Sequence, residues 1–117
     1  MPIAGSNSID APGILLSMTH LQERSLNVDK STVSIGSGLR WADVYNFLQP
    51  YGLVVVGGRA GQIGVPGLFL GGGLSFYSAQ YGFASDNVVN FEVSRIQHVH
   101  VCARLISVVR ACRRLNC

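Results

Sequence analysis

The residues best suited to binding chemistry lie in one glycine-rich segment, residues 57–73, in which eight of seventeen positions are glycine. Glycine loses more conformational entropy on folding than any other residue, so such a run is expected where the backbone passes very close to another group. Successive amides without side chains also form concavities that bind anions. The segment therefore predicts a ligand site in which phosphate is the natural guest, and a tight strand-to-helix connection with no ligand is the alternative.

The common phosphate motifs are absent from this sequence. It has no GxxxxGKS or GxxxxGKT loop, and the pair Gly36 and Gly38 lacks the third glycine of a dinucleotide fingerprint. Arg59 either pairs with a phosphate or lies in solvent. Asp86 and Asn87 either contact a ligand or cap their own loop. No nucleophile, general base or metal cluster stands out, so we predict no catalytic and no metal-binding residue.

Two elements must position the glycine-rich segment. The apolar, β-branched run at residues 53–56 predicts a central strand that ends where the segment begins. Pro66 suits the first turn of a helix, because its missing N–H would have no helical partner there, and we expect a short helix from Pro66 into the glycines at 71–73. Its free N-terminal amides also suit an anion. That helix is intrinsically weak, since each interior glycine costs about 1 kcal/mol relative to alanine.

The rest of the pattern predicts an α+β fold, mainly an antiparallel sheet with flanking helices. Residues 13–18 are typical of a buried strand and residues 32–35 of a half-buried one, with a turn near 27–31, which gives two antiparallel strands. Residues 88–93 alternate as a final strand. Apolar residues spaced i, i+3, i+4 and i+7 indicate one amphipathic helix: Trp41, Val44, Tyr45 and Leu48. Five aromatic residues are expected in the core or in a pocket wall: Tyr45, Phe47, Phe76, Tyr77 and Tyr81.

Length and charge divide the chain unequally. At 117 residues it is at most one domain, and it is short for a complete cofactor-dependent enzyme. Residues 1–92 carry four basic and six acidic residues, whereas residues 93–117 carry five arginines and no acid. All glycines, prolines and aromatic residues precede this cut, and all three cysteines follow it. We therefore predict two parts, residues 1–93 and a basic tail at 94–117 of the kind that a retained intron or a frameshift produces.

Charge and length bear on two alternative roles, nucleic-acid or lipid binding by the tail and membrane insertion of the apolar stretch. Five uncompensated arginines attract nucleic acid or anionic lipid, and interleaved apolar residues suit a basic amphipathic helix. The abrupt change of composition favours the translation artefact instead, so no nucleic-acid partner is predicted. The longest apolar stretch, residues 63–76, is shorter than the roughly 20 residues that span a bilayer. No membrane role is predicted.

Taken together, residues 1–93 resemble the middle of the flavin-binding domain of the vanillyl-alcohol oxidase and p-cresol methylhydroxylase (PCMH) superfamily, closest to fungal berberine-bridge-enzyme-like oxidases. The resemblance covers about four fifths of the chain. The motifs that carry it are PIAGSN at 2–7 with GILL at 13–16, VSIGSGLRWADVY at 33–45, GLVVVGGR at 52–59, IGVPGLFLGGGLS at 63–75 and YGFASDNV at 81–88. The combination is specific, whereas each motif alone is weak.

The resemblance implies that the glycine-rich segment holds the pyrophosphate of FAD and lines its isoalloxazine, with a second segment closing on the other side. FAD is therefore the expected cofactor and partner, and a small organic substrate is expected only for a full-length relative. The implied cofactor-binding residues are Gly57, Gly58, Arg59, Gly64, Val65, Gly67, Gly71, Gly72, Gly73, Gly82, Asn87 and Val89.

Several departures from the family pattern qualify this expectation. Pro66 replaces a usual glycine and removes one amide. Ala60 stands where doubly tethered relatives have a cysteine, so the thioether to flavin cannot form. The histidine of the other tether lies upstream of the segment that matches Pro2, and the substrate domain has no counterpart in the sequence. The resemblance thus implies the FAD-binding portion of an oxidase, truncated and not catalytically complete alone, with a non-enzymatic cofactor-binding remnant or an unstable fragment as the alternative. Full-length relatives are often secreted, but the N-terminal ten residues have no signal-peptide pattern, so no location is predicted.

Overall fold

The structure is a computed structural model, which describes residues 9–93 and 105–113. In these ranges five strands of different lengths form one sheet, and every pairing in it is antiparallel. The order is β1-β2-β5-β3, and β4 also pairs with β5. The strands are β1 Arg24–Leu26, β2 Thr32–Gly36, β3 Leu53–Val55, β4 Val88–Val93 and β5 Leu105–Arg113.

The β1–β2 hairpin turns where the sequence predicts it. Lys30 has a φ of 58°, and the Asp29 carboxylate accepts hydrogen bonds from the amide and hydroxyl of Ser31 at 2.9 and 2.8 Å. These bonds lower the pKa of Asp29. In β2, Val33 and Ile35 are buried and alternate with half-buried polar residues, which confirms the period of two.

The predicted strand at residues 13–18 is wrong. The first strand of the hairpin is β1, and the Ile14 and Leu15 side chains are 90% and 76% exposed. An apolar run forms a strand only where a neighbouring strand accepts its backbone hydrogen bonds, and β2 is already paired with β1 on one edge and β5 on the other. Residues 13–18 therefore have the composition of a strand but pair with no strand of the described sheet.

Helix α1, Trp41–Leu48, has the predicted amphipathic face. Trp41, Val44 and Leu48 are fully buried and Tyr45 is half-buried. The backbone amide of Arg40 donates to the Asp43 carboxylate at 3.1 Å, which satisfies one group at the start of the helix. A short 3₁₀ turn at Gln49–Tyr51 follows and ends at Gly52, whose φ is 66°. Gly52, in the left-handed conformation, ends this turn.

Helix α2, Val65–Leu70, confirms the short helix predicted from Pro66. It is followed by α3, Ser78–Tyr81, and a second 3₁₀ turn at Ala84–Asn87. The carbonyls of Gly72 and Gly73 accept the amides of Ser85 and Ala84 at 2.9 and 2.8 Å. These two bonds fix the triple glycine against the turn that precedes β4.

The described part of the tail is a strand at the centre of the sheet. β5 pairs with β2, β3 and β4, and the Val109 side chain is fully buried in the same core as Val33, Ile35 and Trp41. A basic amphipathic helix, considered from the sequence, is therefore wrong for residues 105–113. A strand with partners on both edges is held by backbone hydrogen bonds whatever the charge of its sequence.

Candidate functional site: the glycine loop beside helix α1

Trp41 sets the position of the first two glycines after β3. A Cβ on Gly57 would lie 2.1 Å from the Trp41 ring, and one on Gly58 would lie 2.6 Å from it. The indole is fully buried and meets the Phe69 ring edge-on at 5.2 Å between centroids, so it has no room to yield. Glycine is required at 57 and 58 by packing inside the chain, and sequence reasoning alone attributed it to a ligand.

Four carbonyls of residues 57–64, here called the amide loop, accept hydrogen bonds from α1 and from the residue that precedes it. The longest of these contacts is 3.1 Å. The pairs are Tyr45 hydroxyl to Gly58 (2.6 Å), Ala42 amide to Gly61 (2.9 Å), Arg40 Nη1 to Gln62 (2.6 Å) and Trp41 amide to Ile63 (3.1 Å). The sequence alone did not predict that the Arg40 and Tyr45 side chains hold this loop, although both residues lie in the motif VSIGSGLRWADVY.

The amides of this loop point away from α1. In a trans peptide the carbonyl of one residue and the N–H of the next point in opposite directions. Because the carbonyls of Gly58, Gly61 and Ile63 point toward α1, the N–H groups that follow them face the opposite side. Within the described chain, the Ile63 amide donates to the Ala60 carbonyl at 3.3 Å, and the loop's other amides make no hydrogen bond. The amides of Arg59, Gln62 and Gly64 are therefore a row of donors directed outward.

Gly64 and Gly67 have no internal reason to be glycine. Apart from the adjacent residues and, for Gly67, the backbone of its own helix, no described heavy atom lies within 4 Å of the position that a Cβ would take at either residue. Gly64 has an ordinary φ of −68°, and Gly67 lies inside α2, where alanine would be more stable by about 1 kcal/mol. Open space beside unpaired amides is what a closely approaching, acceptor-rich group needs, so the residues present fit a phosphate-bearing ligand.

The three glycines that follow α2 make contacts within the chain. The amides of Gly71 and Gly72 donate to carbonyls at the end of α2, the former to Gly67 and Leu68 at 3.2 Å and the latter to Phe69 at 3.1 Å. Gly73 has a φ of 76°, and a Cβ there would lie 2.7 Å from that of Ala84. The Val65 amide is also engaged, by the Leu39 carbonyl at 3.1 Å. Among the predicted residues at the start of α2, Gly67 is therefore the one whose backbone amide makes no hydrogen bond within the described chain.

The second predicted segment packs on itself through its side chains. The Asn87 amide nitrogen donates to the carbonyls of Tyr81 and Phe83 at 2.9 and 3.0 Å, and Asp86 accepts the Phe83 amide at 2.8 Å. The loop-capping role of Asp86 and Asn87, left open by the sequence, is thus seen directly. Gly82 has a φ of 78°, and Val89 is 55% exposed at a shift in the β4–β5 register.

Three depressions are lined by six of the twelve predicted residues. The first, the aromatic cavity, has a volume of about 350 Å³ and includes Gly58 and Arg59. The second, of about 310 Å³, runs along α2 past Gly67, Gly71 and Gly73. The third, of about 240 Å³, lies between Ser37 and Gly64. Ser37 Oγ and Trp41 Nε1 are buried and have no hydrogen-bond partner in the part of the chain that the structure describes. The amide loop thus borders the first depression through Gly58 and Arg59 and the third through Gly64.

Some of the aromatic predictions are confirmed. Tyr45, Phe76 and Tyr77 line the aromatic cavity, and Phe47 and Tyr81 pack against the core. Arg59 is exposed and makes no ion pair or hydrogen bond with the described chain, so it stands as a free cation at the loop. The described residues include no group of three or more potential metal ligands, and none of their helices has the length and hydropathy to cross a bilayer.

Comparison with known proteins identifies this arrangement. The crystal structure of 6-hydroxy-D-nicotine oxidase from Arthrobacter nicotinovorans superposes with a TM-score of 0.72 at 24% identity, over 85% of this chain and 26% of that one. BBE-like 1 of Physcomitrella patens superposes with a TM-score of 0.67 at 20% identity, over 80% of this chain and 25% of that one. These similarities show the fold, which is that of the PCMH-type flavin-binding domain.

The family follows from the sequence match. A family model described as FAD binding domain matches residues 3–95, and the chain belongs to that family. The FAD-dependent monooxygenase prx3 of Penicillium roqueforti is 48% identical over 94 residues, which are 80% of this chain and 18% of the relative. The chain thus carries FAD-binding domain sequence over residues 3–95, and FAD is its cofactor. It spans less than one fifth of the length of such relatives.

Proposed function

We propose that this chain forms the wall of an oxidase that holds FAD beside a small organic substrate. The observation that carries the proposal is the row of outward amides in the amide loop next to Gly64 and Gly67, whose missing side chains leave open space. Hydrogen-bond donors fixed in this way suit the pyrophosphate oxygens and the polar edge of the isoalloxazine. When bound, the flavin supplies the electron-transfer chemistry.

In this proposal some of the predicted residues donate hydrogen bonds to FAD, and others allow it to approach the backbone closely. The amides of Gly57, Gly58, Arg59, Gly64 and Gly67 are unpaired within the described chain and donate. Val65, Gly71, Gly72 and Gly73 act through close approach, because the first three amides already have partners. Gly82, Asn87 and Val89 bound the cofactor from the turn before β4. Because residue 60 is alanine rather than cysteine, no thioether to the flavin forms there, and the loop holds the cofactor non-covalently.

Catalysis by the chain alone is not part of the proposal. The match to relatives covers 18% of prx3, and the predicted site contains binding groups but no acid or base for the substrate. A non-enzymatic cofactor-binding remnant or an unstable fragment is the second candidate. The exposure of Ile14, Leu15 and Phe76, at 90%, 76% and 77%, favours it, because large exposed apolar side chains are a folding and aggregation liability.

Flavin retention tests the proposal. The purified chain is mixed with FAD and desalted, and the retained flavin absorbance is recorded. Trp41 is the single tryptophan and lies under the amide loop, so its fluorescence is expected to fall as FAD binds. Gly64→Val places a side chain in open space and is expected to raise the FAD Kd at least about tenfold.

The matched control is Ala79→Val, which places the same valine side chain at an exposed position of α3. Its Kd is expected to equal that of the unmodified chain. Equal FAD affinity of Gly64→Val and Ala79→Val would contradict the assignment of the loop. Retention of FAD without substrate-dependent bleaching supports a binding remnant, and no retention by a chain with a folded circular-dichroism spectrum rejects both.

A further inference from the structure

The aromatic cavity is separate from the proposed flavin contacts at Gly64 and Gly67, neither of which lines it. It is lined by Leu53 and Val54 of β3, by Tyr45 of α1 and by residues 75–77. Gly58 and the exposed Arg59 also line it. A volume of about 350 Å³ lies in the range of small-molecule sites, and one or two rings would fill it.

Three aromatic side chains line this cavity. Phe76 is 77% exposed, an uncovered aromatic ring beside the half-buried rings of Tyr45 and Tyr77. The Tyr45 ring is held in place by the hydrogen bond from its hydroxyl to the Gly58 carbonyl. Aromatic rings pack favourably on one another when offset or edge-on, beyond the gain from buried area. A planar aromatic ligand would cover Phe76 and stack within the cavity.

The polar groups at the cavity are suited to a negative charge. Among the described residues that line it, Arg59 is the one that carries a charge, and it has no partner in the described chain. The Tyr77 and Ser75 hydroxyls do not donate to the described chain. A guanidinium and two hydroxyl donors with no carboxylate beside them match a carboxylate acceptor.

From the exposed ring of Phe76, the unpaired guanidinium of Arg59 and the volume of about 350 Å³, we propose that the aromatic cavity binds a planar aromatic carboxylate. This site is independent of FAD binding and adjoins it through Gly58 and Arg59. The ring stacks against Phe76 and Tyr77, and the carboxylate pairs with Arg59.

The test uses benzoate and the FAD-free chain, with Trp41 fluorescence as the readout, since its ring lies 5.7 Å from that of Tyr45. Saturable binding is expected. Arg59→Gln should raise the benzoate Kd at least about tenfold, because a charge-assisted pair is lost. Lys30→Gln removes one positive charge from the β1–β2 turn and should leave the Kd unchanged. Phe76→Leu should weaken benzoate more than cyclohexanecarboxylate, since only the aromatic ligand loses stacking.

Arg59 and Phe76 are exposed, so neither variant is expected to unfold the chain. Equal Kd values for Arg59→Gln and Lys30→Gln would overturn the proposal, as would equal affinity for benzoate and cyclohexanecarboxylate. A titration with saturating FAD separates the two sites. Unchanged benzoate binding supports an independent site, and competitive displacement assigns the cavity to the flavin instead.

Discussion

The Tyr45 hydroxyl donates a 2.6 Å hydrogen bond to the carbonyl of Gly58, thirteen residues away. This bond joins the amphipathic helix to the loop that carries the unpaired amides. It also orients the Gly58 peptide so that the following N–H, that of Arg59, faces away from the helix. A core-facing aromatic residue therefore determines the direction of an outward-facing donor.

Replacing Tyr45 with phenylalanine tests this coupling. Tyr45→Phe keeps the ring and removes the bond, so the free energy of unfolding is expected to fall by about 1 kcal/mol. FAD affinity should fall as well, because the amide loop loses one of its supports. Denaturant unfolding measures the first effect and flavin titration the second. A variant that loses stability but binds FAD with full affinity would show that the bond does not orient the site.

The same residue predicts a dependence of stability on alkaline pH. Burial, and secondarily the nearby Tyr77, raise the pKa of Tyr45 to about 12 from an ordinary value of 10.0. The folded state thus retains the phenol proton where the unfolded state loses it. This contribution to stability is complete below pH 10 and is lost as the pH rises toward 12. The unfolding free energy should decline less steeply over pH 10–12 in Tyr45→Phe, and parallel profiles would contradict the assignment.

Gly67→Ala should separate folding from binding. A Cβ at this position meets no atom within 4 Å and the residue is helical, so alanine is expected to stabilise the chain by up to about 1 kcal/mol. The same methyl group would occupy the space proposed for FAD, so the Kd should rise. Thermal unfolding with and without FAD measures both effects. A variant that is more stable and binds FAD normally would remove Gly67 from the site.

Gly57→Ala makes the identical chemical change with the opposite expected effect on stability. Its Cβ would lie 2.1 Å from the Trp41 ring, which is buried against Phe69. Overpacking of this kind typically costs about 1–3 kcal/mol. Denaturant midpoints of the two alanine variants, measured side by side, should bracket the unmodified chain. A stable Gly57→Ala chain would mean that the indole moves freely beneath the loop.

The central strand gives a prediction about the tail. Val109 of β5 is fully buried, and Val109→Ala is expected to lower the unfolding free energy by about 2 kcal/mol. Deletion of residues 94–117 should abolish cooperative unfolding, because β3 and β4 then lose the strand that joins them. Tryptophan fluorescence during urea unfolding follows both. Cooperative unfolding of the shortened chain would show that the tail is dispensable, as expected for a translation artefact.

Local patterns in the sequence predicted most elements correctly. The spacing of Trp41, Val44 and Leu48 specified α1, the alternation around Val33 and Ile35 specified β2, and Pro66 marked the start of α2. Each of these signals arises from neighbours within a few residues. The glycine-rich segment also indicated the cofactor site, and together with the flanking motifs it indicated the family.

Tertiary structure decided what local patterns do not contain. A glycine kept free of a side chain by a distant indole, as at Gly57, has the same sequence signature as one with open space beside it, as at Gly64. Strand pairing likewise joins residues far apart in the chain, so apolar residues 13–18 remained outside the sheet while the arginine-containing β5 took its centre. Composition by itself predicted a backbone site of close approach. Long-range packing and hydrogen bonding decided which amides of the loop remain unpaired, because those contacts alone fix the orientation of each peptide.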